Sequence, residues 1–260
     1  MDIKSVKAVA FSGAGTTREV AERFALATNL PYTLADITPH DAPAVEFEPG
    51  DLAVFAVPSY GGRVPAPAVG RIRSCHGEKI PTVLMVTFGN RAIDDTLLEL
   101  ADTVRAQGFI PVDGLAIVAH HSLMTNVAVG RPDDTDIALI EKAARETIDT
   151  LSSTRDPLEL ELNDIPGERP YRAFDGVPFH AKADAHLCVS CGRCAAECPT
   201  GAIDPAHPAE TDAGLCISCT RCIATCPAGA RALAGGPALA AARAAFAAAY
   251  GKRQESYRLV

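Results

Sequence analysis

The chain has 260 residues, a net charge of −8 and 22% charged residues, which is an ordinary globular composition. Residues 1–180 carry 16 basic and 26 acidic side chains and residues 181–260 carry 8 and 6, so no basic face for nucleic acid is expected. No apolar stretch reaches the roughly 18 residues of a membrane-spanning helix, and Met1–Phe11 has no small-residue cleavage site. We therefore expect a cytoplasmic protein without a membrane anchor.

Short apolar runs alternate with amphipathic stretches through residues 1–150. The apolar runs predict five strands, and apolar residues at helical spacing between them predict three helices. The predicted strands are Val6–Phe11, Tyr32–Ile37, Leu52–Val57, Thr82–Thr87 and Gly114–Ala119, and the predicted helices are Thr17–Ala27, Asp94–Gln107 and Asp133–Leu151. This alternation indicates an α/β fold whose parallel sheet is covered by helices on both faces.

The composition of the chain changes at two places after residue 154. Residues 155–184 contain four prolines and two glycines, which predict a connector that packs in part against its neighbours. Residues 185–234 hold eight of the nine cysteines, and an alanine-rich segment at 237–250 predicts a helix over the cysteine-rich module or the domain junction. The predicted division is a domain at 1–154, the connector at 155–184, a domain at 185–234, and a helix with a tail at 235–260.

The cysteine-rich segment contains an internal repeat. Leu187–Ile203 and Leu215–Arg231 are offset by 28 residues, are identical at 11 of 17 positions, and each has the pattern C-x2-C-x2-C-x3-C-P. In this pattern three cysteines hold one [4Fe–4S] cluster and the fourth cysteine holds the other cluster. One cluster is therefore assigned to Cys188, Cys191, Cys194 and Cys226, and the other to Cys216, Cys219, Cys222 and Cys198. Zinc is the alternative ligand of paired C-x2-C units, but zinc sites rarely contain this full pattern twice.

A loop of glycines and hydroxyl residues joins the first predicted strand to the first predicted helix. Its sequence is Ser12-Gly13-Ala14-Gly15-Thr16-Thr17, here called the phosphate loop. Backbone N–H groups, the helix dipole and hydroxyl donors at such a turn bind phosphate. The loop lacks the lysine of a nucleotide P-loop and the spacing of a dinucleotide fingerprint. A monophosphate fits better, and FMN is the common one.

Two further loops follow the third and fourth predicted strands. They are Pro58-Ser59-Tyr60-Gly61-Gly62 and Thr87-Phe88-Gly89-Asn90-Arg91. The carboxyl ends of strands are where open α/β sheets bind ligands, and Tyr60 and Phe88 supply aromatic rings for a flavin. His121 follows the fifth predicted strand at the same edge. We expect these residues and the phosphate loop to bind FMN, and the sequence assigns no catalytic residue.

With these loops the N-terminal region resembles a flavodoxin, and the cysteine repeat resembles a bacterial two-cluster ferredoxin. With Tyr60-Gly61-Gly62-Arg63, Gly89-Asn90-Arg91 and Gly130-Arg131-Pro132-Asp133, the chain is similar to a family of fused flavodoxin–ferredoxin proteins. The resemblance implies a flavodoxin-like doubly wound parallel sheet, then a small α+β ferredoxin domain with two [4Fe–4S] clusters. It also implies electron transfer with redox partner proteins of undefined identity.

The phosphate loop departs from the usual flavodoxin sequence at two positions. Ala14 stands where a flavodoxin has threonine, and Thr16 stands where it has asparagine. The loss of one hydroxyl is expected to weaken phosphate binding by roughly 0.5–1.5 kcal/mol.

Three functions stay open on the sequence. The first is an electron-transfer protein that connects FMN, the two clusters and a redox partner. The second is an FMN-dependent reductase of a small substrate that is fed by the clusters. The third is a flavin-free binding or scaffolding module fused to a ferredoxin. The sequence also leaves open whether the two domains face each other within one chain or across a homodimer.

Overall fold

The N-terminal region forms a six-stranded sheet in a computed structural model that describes residues 1–260. Five strands are parallel: β1 (Ser5–Ala10), β2 (Tyr32–Asp36), β3 (Asp51–Pro58), β4 (Ile80–Phe88) and β5 (Phe109–Val118). Their order is β2-β1-β3-β4-β5, which is the flavodoxin-like doubly wound order. The fold class expected for this region is confirmed.

Helices cover both faces of the sheet: α1 (Thr16–Ala27), α2 (Ala66–Ile72), α3 (Thr96–Arg105) and α4 (Asp134–Ser153). Successive residues of the central strands point to opposite sides, as the pleat requires. Val54 packs in one core with Phe24 of α1 and Ile140 of α4. Phe55 packs in the other core with Leu97 of α3. The sheet is therefore buried on both faces.

All eight elements predicted for residues 1–150 are present. One strand begins earlier than predicted, and one further helix was not predicted. β5 begins at Phe109. The sequence pattern placed its start at Gly114, because Pro111 and the charged Asp113 interrupt the apolar run. Asp113 is fully buried there and is paired with Arg258 at 2.8 Å. Helix α2 was not predicted, since its seven residues include Pro67 and Gly70.

The cysteine-rich region is a small α+β domain. It contains β6 (Ala181–Ala183), α5 (Arg193–Ala196), α6 (Arg221–Ala224) and β7 (Arg231–Leu233). Strands β6 and β7 pair antiparallel, and each cysteine repeat contributes one single-turn helix. No helix anywhere in the chain has the length and apolar character needed to span a membrane.

The connector packs against the N-terminal domain, as expected. The Arg169 guanidinium is paired with the Asp102 carboxylate of α3 at 2.6 Å. The backbone N–H of Arg172 donates to Asp95 at 2.7 Å, and the carbonyl of Arg172 accepts from the Arg63 guanidinium at 2.7 Å. The connector is therefore fixed on the sheet edge that carries the predicted cofactor loops.

The C-terminal tail returns to the N-terminal sheet. The predicted alanine-rich helix is α7 (Gly236–Tyr250), and β8 (Tyr257–Arg258) then pairs antiparallel with β5 as the sixth strand. Asn90 holds the segment between them. Its side-chain amide donates to the carbonyl oxygens of Tyr250 at 2.6 Å and Lys252 at 2.9 Å, and its oxygen accepts from the N–H of Gln254 at 3.1 Å.

Replacement of Asn90 by alanine is expected to destabilise the protein by about 1–3 kcal/mol, because partners of the tail backbone are lost at a buried site. Hydrogen exchange of the amides in residues 251–258 and urea unfolding measure the effect. Asn90 has a φ of 68°. Glycine adopts this φ without strain, so Asn90→Gly removes the hydrogen bonds and leaves the backbone unstrained. Wild-type hydrogen exchange of the tail amides in Asn90→Gly would show that the Asn90 amide does not hold the tail.

Candidate functional site

A cavity of about 310 Å³, here called the cofactor cavity, opens at the carboxyl ends of the parallel strands. Its wall contains residues from all three predicted loops and the predicted histidine: Gly13, Ala14, Thr16, Thr17, Pro58, Ser59, Tyr60, Gly61, Gly62, Thr87, Phe88, Gly89, Arg91 and His121. The volume is at the lower end of the range for small-molecule sites. The structure thus brings the predicted cofactor residues together around one space.

Three residues predicted to bind the cofactor lie outside this wall. Ser12 is buried below the loop, where its N–H donates to Thr38 Oγ1 at 2.7 Å and its Oγ accepts from the N–H of Arg18 at 3.1 Å. Gly15 has a φ of +106°, which L side chains rarely adopt, so it sets the shape of the loop. Asn90 holds the C-terminal tail. These three residues shape the surroundings of the cavity, and their contact with the cofactor stays a prediction.

The start of α1 forms one end of the cofactor cavity. Its N-cap, Gly15, makes no side-chain hydrogen bond, and Ser12 Oγ accepts from the N–H of Arg18. The N–H groups of Thr16 and Thr17 stay available to an anion. Thr17 Oγ1 is hydrogen-bonded to Thr87 Oγ1 at 2.7 Å, which ties the loop to the end of β4. A helix start of this kind beside aromatic walls fits a ring cofactor that carries a phosphate, as FMN does.

Residues from three distant parts of the chain complete the cavity wall, and none was predicted: Phe174 and Val177 of the connector, Ile217 and Ser218 of the cysteine-rich domain, and Phe246 of α7. A Cβ on Gly61 would lie 2.1 Å from the Phe174 ring, so only glycine allows this approach. Phe246 packs edge-on against the His121 ring with centroids 4.9 Å apart. No local sequence pattern marks such residues.

His121 is a neutral imidazole in the cavity wall. Burial, together with the neighbouring His120, lowers the pKa of His121 to about 4. Its Nδ1 lies within 3.3 Å and 3.4 Å of the N–H groups of Leu123 and Met124. Nδ1 is therefore the acceptor and Nε2 carries the proton. Arg91, also in the wall, is paired with Asp94, and Arg172 of the connector pairs with the same carboxylate at 2.5 Å. One carboxylate is therefore shared by two guanidinium groups.

The eight clustered cysteines surround two cavities. Cys188, Cys191, Cys194 and Cys226 line one, here called the outer cavity. Cys198, Cys216, Cys219 and Cys222 line the other, here called the inner cavity. The fourth cysteine of each repeat joins three from the other repeat, which is the grouping that the sequence predicts.

The donor chemistry of both cavities fits iron–sulfur clusters. The backbone N–H of Ala230 donates to Cys226 Sγ at 3.3 Å, and such N–H···S bonds stabilise thiolate ligands. Burial raises the pKa of Cys219 to about 12 and that of Cys222 to about 11. These two thiols therefore stay protonated at neutral pH until a metal centre binds to the sulfur atoms and displaces the protons.

Comparison with known proteins identifies the cysteine-rich segment. Residues 187–230 match the family model described as a 4Fe-4S dicluster domain. The chain joins a flavodoxin-like domain to a 4Fe–4S dicluster domain. The dicluster match replaces the zinc alternative, and the two parts together give the protein a redox, electron-transferring role.

The solved structures that resemble the chain cover its flavodoxin-like part. A flavodoxin from the domain Archaea is 12% identical, with a TM-score of 0.41, and the match covers 57% of this chain and 99% of that chain. A flavodoxin of Streptococcus pneumoniae TIGR4 is 18% identical, with a TM-score of 0.41 and coverage of 56% and 98%. A search of curated proteins finds no match. The fold assignment rests on the strand order rather than on these likenesses.

The inner cavity and the cofactor cavity share one wall. Ile217 and Ser218 line both cavities, and Cys219 follows them directly. A Cβ on Gly13 of the phosphate loop would lie 2.0 Å from the Cys219 carbonyl oxygen. The Tyr60 hydroxyl lies 3.5 Å from that same oxygen. The dicluster domain is thus seated directly on the phosphate loop.

Arg221 links the two domains electrostatically. Its guanidinium lies 2.7 Å from the Asp36 carboxylate at the end of β2 and 2.5 Å from the Glu197 carboxylate of the dicluster domain. It also donates to the carbonyl of Ser12 at 3.1 Å. One arginine therefore joins the dicluster domain, the phosphate loop and the sheet.

Arg231 is a buried cation beside the cysteine cavities. Its side chain, 4% exposed, donates to Thr211 Oγ1 at 2.9 Å and to the carbonyl oxygen of Pro208. Its Nε is buried and has no hydrogen-bond partner. The residue lines the outer cavity, and its charge acts on the Cys222 thiol of the inner cavity. Ile203 occupies the equivalent position of the first repeat.

Replacement of Arg231 by methionine is expected to lower the reduction potential of at least one cluster by about 59 mV, a tenfold change for a one-electron couple. The loss of a buried positive charge disfavours the more negative, reduced state. Redox titration followed by electron paramagnetic resonance measures the potentials. Arg231→Lys keeps the charge, and Arg193→Met removes an exposed arginine; both should retain the wild-type potentials. Equal potentials in Arg231→Met and wild type would contradict the prediction.

Proposed function

We propose that this protein is an electron-transfer protein that shuttles electrons between FMN in the cofactor cavity and two [4Fe–4S] clusters, and on to a redox partner protein. The observation that carries the proposal is the wall shared by the inner cavity and the cofactor cavity at Ile217–Cys219. When bound, FMN exchanges one or two electrons and each cluster exchanges one.

The residues of the chain have separate tasks in this function. The first turn of α1 and the phosphate loop hold the phosphate, and Tyr60 and Phe88 pack beside the flavin. Phe174 and Phe246 add apolar walls from the connector and from α7. His121, neutral at pH 7, offers an N–H donor and adds no charge to the site.

The exposure of the cysteines gives the two cavities different positions relative to solvent. Cys219 of the inner cavity is 8% exposed and lies against the phosphate loop, whereas Cys191 of the outer cavity is exposed. The outer cavity is thus the one that a partner protein reaches, and the inner cavity lies between it and the cofactor cavity.

The size of the cofactor cavity favours electron transfer over reduction of a small substrate. A volume of about 310 Å³ is at the lower limit of sites for drug-sized ligands, so a bound flavin leaves little room for a second molecule.

Cofactor content tests the proposal. Anaerobic purification, followed by assays of iron, acid-labile sulfide and flavin, is expected to give about eight irons and one FMN per chain. Ala14→Thr restores a phosphate-loop hydroxyl and should retain FMN at least as well. About eight irons with no FMN in either protein, even after incubation with excess FMN, would contradict the FMN part of the proposal.

A further inference from the structure

Equivalent segments of the two cysteine repeats have opposite exposure. In the second repeat, Ile217–Arg221 is buried against the flavodoxin-like domain, with Ser218 only 5% exposed and Thr220 only 7% exposed. In the first repeat, Val189–Arg193 lies 28 positions earlier and is open to solvent, with Val189 68% exposed. The segment Ile217–Arg221 is therefore in an interface, and its counterpart Val189–Arg193 is free.

The occupied segment shows how such a surface is recognised. Ile217 packs against the apolar core of the flavodoxin-like domain beside the cofactor cavity. Arg221 pairs with the Asp36 carboxylate at 2.7 Å. The interface thus includes an apolar residue beside a cofactor site and an arginine–carboxylate pair.

The free segment repeats both features without their partners. Val189 is the counterpart of Ile217, and Leu187 beside it is 52% exposed. Arg193 is the counterpart of Arg221, and its exposed guanidinium makes no hydrogen bond and no ion pair. Cys191 of the outer cavity lies between these two residues and is exposed as well.

We propose that Val189–Arg193 is the docking surface for a separate redox protein whose cofactor edge carries an apolar depression and a carboxylate. The flavodoxin-like domain presents this same chemistry to Ile217–Arg221. The inference rests on the proposed function, since the encounter transfers one electron, which the reduced partner loses and the oxidised one gains, with no bond made or broken. Arg193 pairs with the carboxylate of the partner, and Val189 enters its apolar depression.

The charges of the dicluster domain leave Arg193 as the group that meets such a partner. Residues 185–234 carry three arginines and four acidic residues. Arg221 is paired with carboxylates and Arg231 is buried, whereas Arg193 is exposed and has no partner. A carboxylate of the partner is therefore attracted to Arg193 beside the outer cavity. Charges at the edge of an interface act mainly on the association rate.

Stopped-flow electron transfer with a purified bacterial flavodoxin, chosen for carboxylates at its cofactor edge, tests the proposal. The full chain is used as reductant of the oxidised flavodoxin and as oxidant of the reduced flavodoxin. Electron transfer then has a favourable free energy in one of the two directions, whatever the reduction potentials. At low ionic strength, Arg193→Glu is expected to lower the second-order rate constant at least about tenfold. Val189→Asp should also lower it. Arg155→Glu makes the same charge change at an exposed connector position and should leave it unchanged.

Three outcomes would overturn the proposal: no reaction of the wild type in either direction, equal rates for Arg193→Glu and Arg155→Glu, or a wild-type dimer that Arg193→Glu dissociates in sedimentation. The last would show that a second copy covers this face. Electron exchange between the clusters and FMN is measured in the same samples without flavodoxin. Its absence would contradict the proposed function and not the docking surface.

Discussion

Replacement of Arg221 by methionine is expected to weaken the seat of the dicluster domain on the flavodoxin-like domain by about 2–5 kcal/mol, since one member of a mostly buried charge network is lost. The Arg221 side chain is 13% exposed, and the carboxylates of Asp36 and Glu197 are 22% and 24% exposed. Without the guanidinium, two carboxylates with restricted hydration remain side by side. Methionine keeps the apolar stem, so packing changes little.

Denaturant unfolding and hydrogen exchange measure this effect. Protection should fall in residues 12–18 and 217–221, which meet at the interface. Asp36→Asn combined with Arg221→Met gives the coupling energy of the pair through a double-mutant cycle. Arg193→Met, the equivalent change in the first repeat, is the matched control and should cost little. Equal effects of the two arginine substitutions would contradict the role of Arg221 at the interface.

Loss of one cluster at a time is expected to separate the two ends of the electron route. Cys191→Ala removes a ligand from the outer cavity and Cys219→Ala removes one from the inner cavity. Each variant should contain about four irons in place of about eight. Cys219→Ala should lose electron exchange with the flavin, whereas Cys191→Ala should keep it and lose rapid exchange with partner proteins.

Iron assays, flavin absorbance after reduction, and the flavodoxin reaction distinguish these variants. Hydrogen exchange of β6 and β7 shows whether the dicluster domain stays folded in each. If Cys191→Ala stopped exchange with the flavin and Cys219→Ala did not, the outer cavity would be the one beside the flavin, contrary to the contacts of Gly13 and Tyr60 with Cys219.

The fold and the cysteine grouping were predictable because their signals are local. The central strand β3 contains the continuous apolar run Leu52–Val57, since both faces of the sheet are buried there. The C-x2-C-x2-C-x3-C-P spacing determines which cysteines can reach the same cluster. The strand ends likewise indicated where a ligand binds, and most of the predicted loop residues line the cofactor cavity.

The unpredicted features depend on contacts between distant segments. Asn90 follows a buried strand like a ligand-binding residue, yet its partners lie more than 150 positions away in the tail. Phe174 and Phe246 sit in segments without any cofactor motif. The burial of Asp113 is compensated by Arg258 of the tail and by the hydroxyl of Thr147 in α4. Such positions are determined by tertiary packing, which leaves no periodic pattern in the sequence.

The most direct test of the central claim is the concentration dependence of electron exchange between the clusters and FMN. The fully loaded chain is reduced in a stopped-flow instrument by less than one electron per molecule, and the redistribution of that electron is followed by absorbance. Because the inner cavity shares its wall with the cofactor cavity, the redistribution should be first order, with a rate constant independent of protein concentration. A rate that rises in proportion to protein concentration would show that electrons pass between chains, and would contradict an internal route.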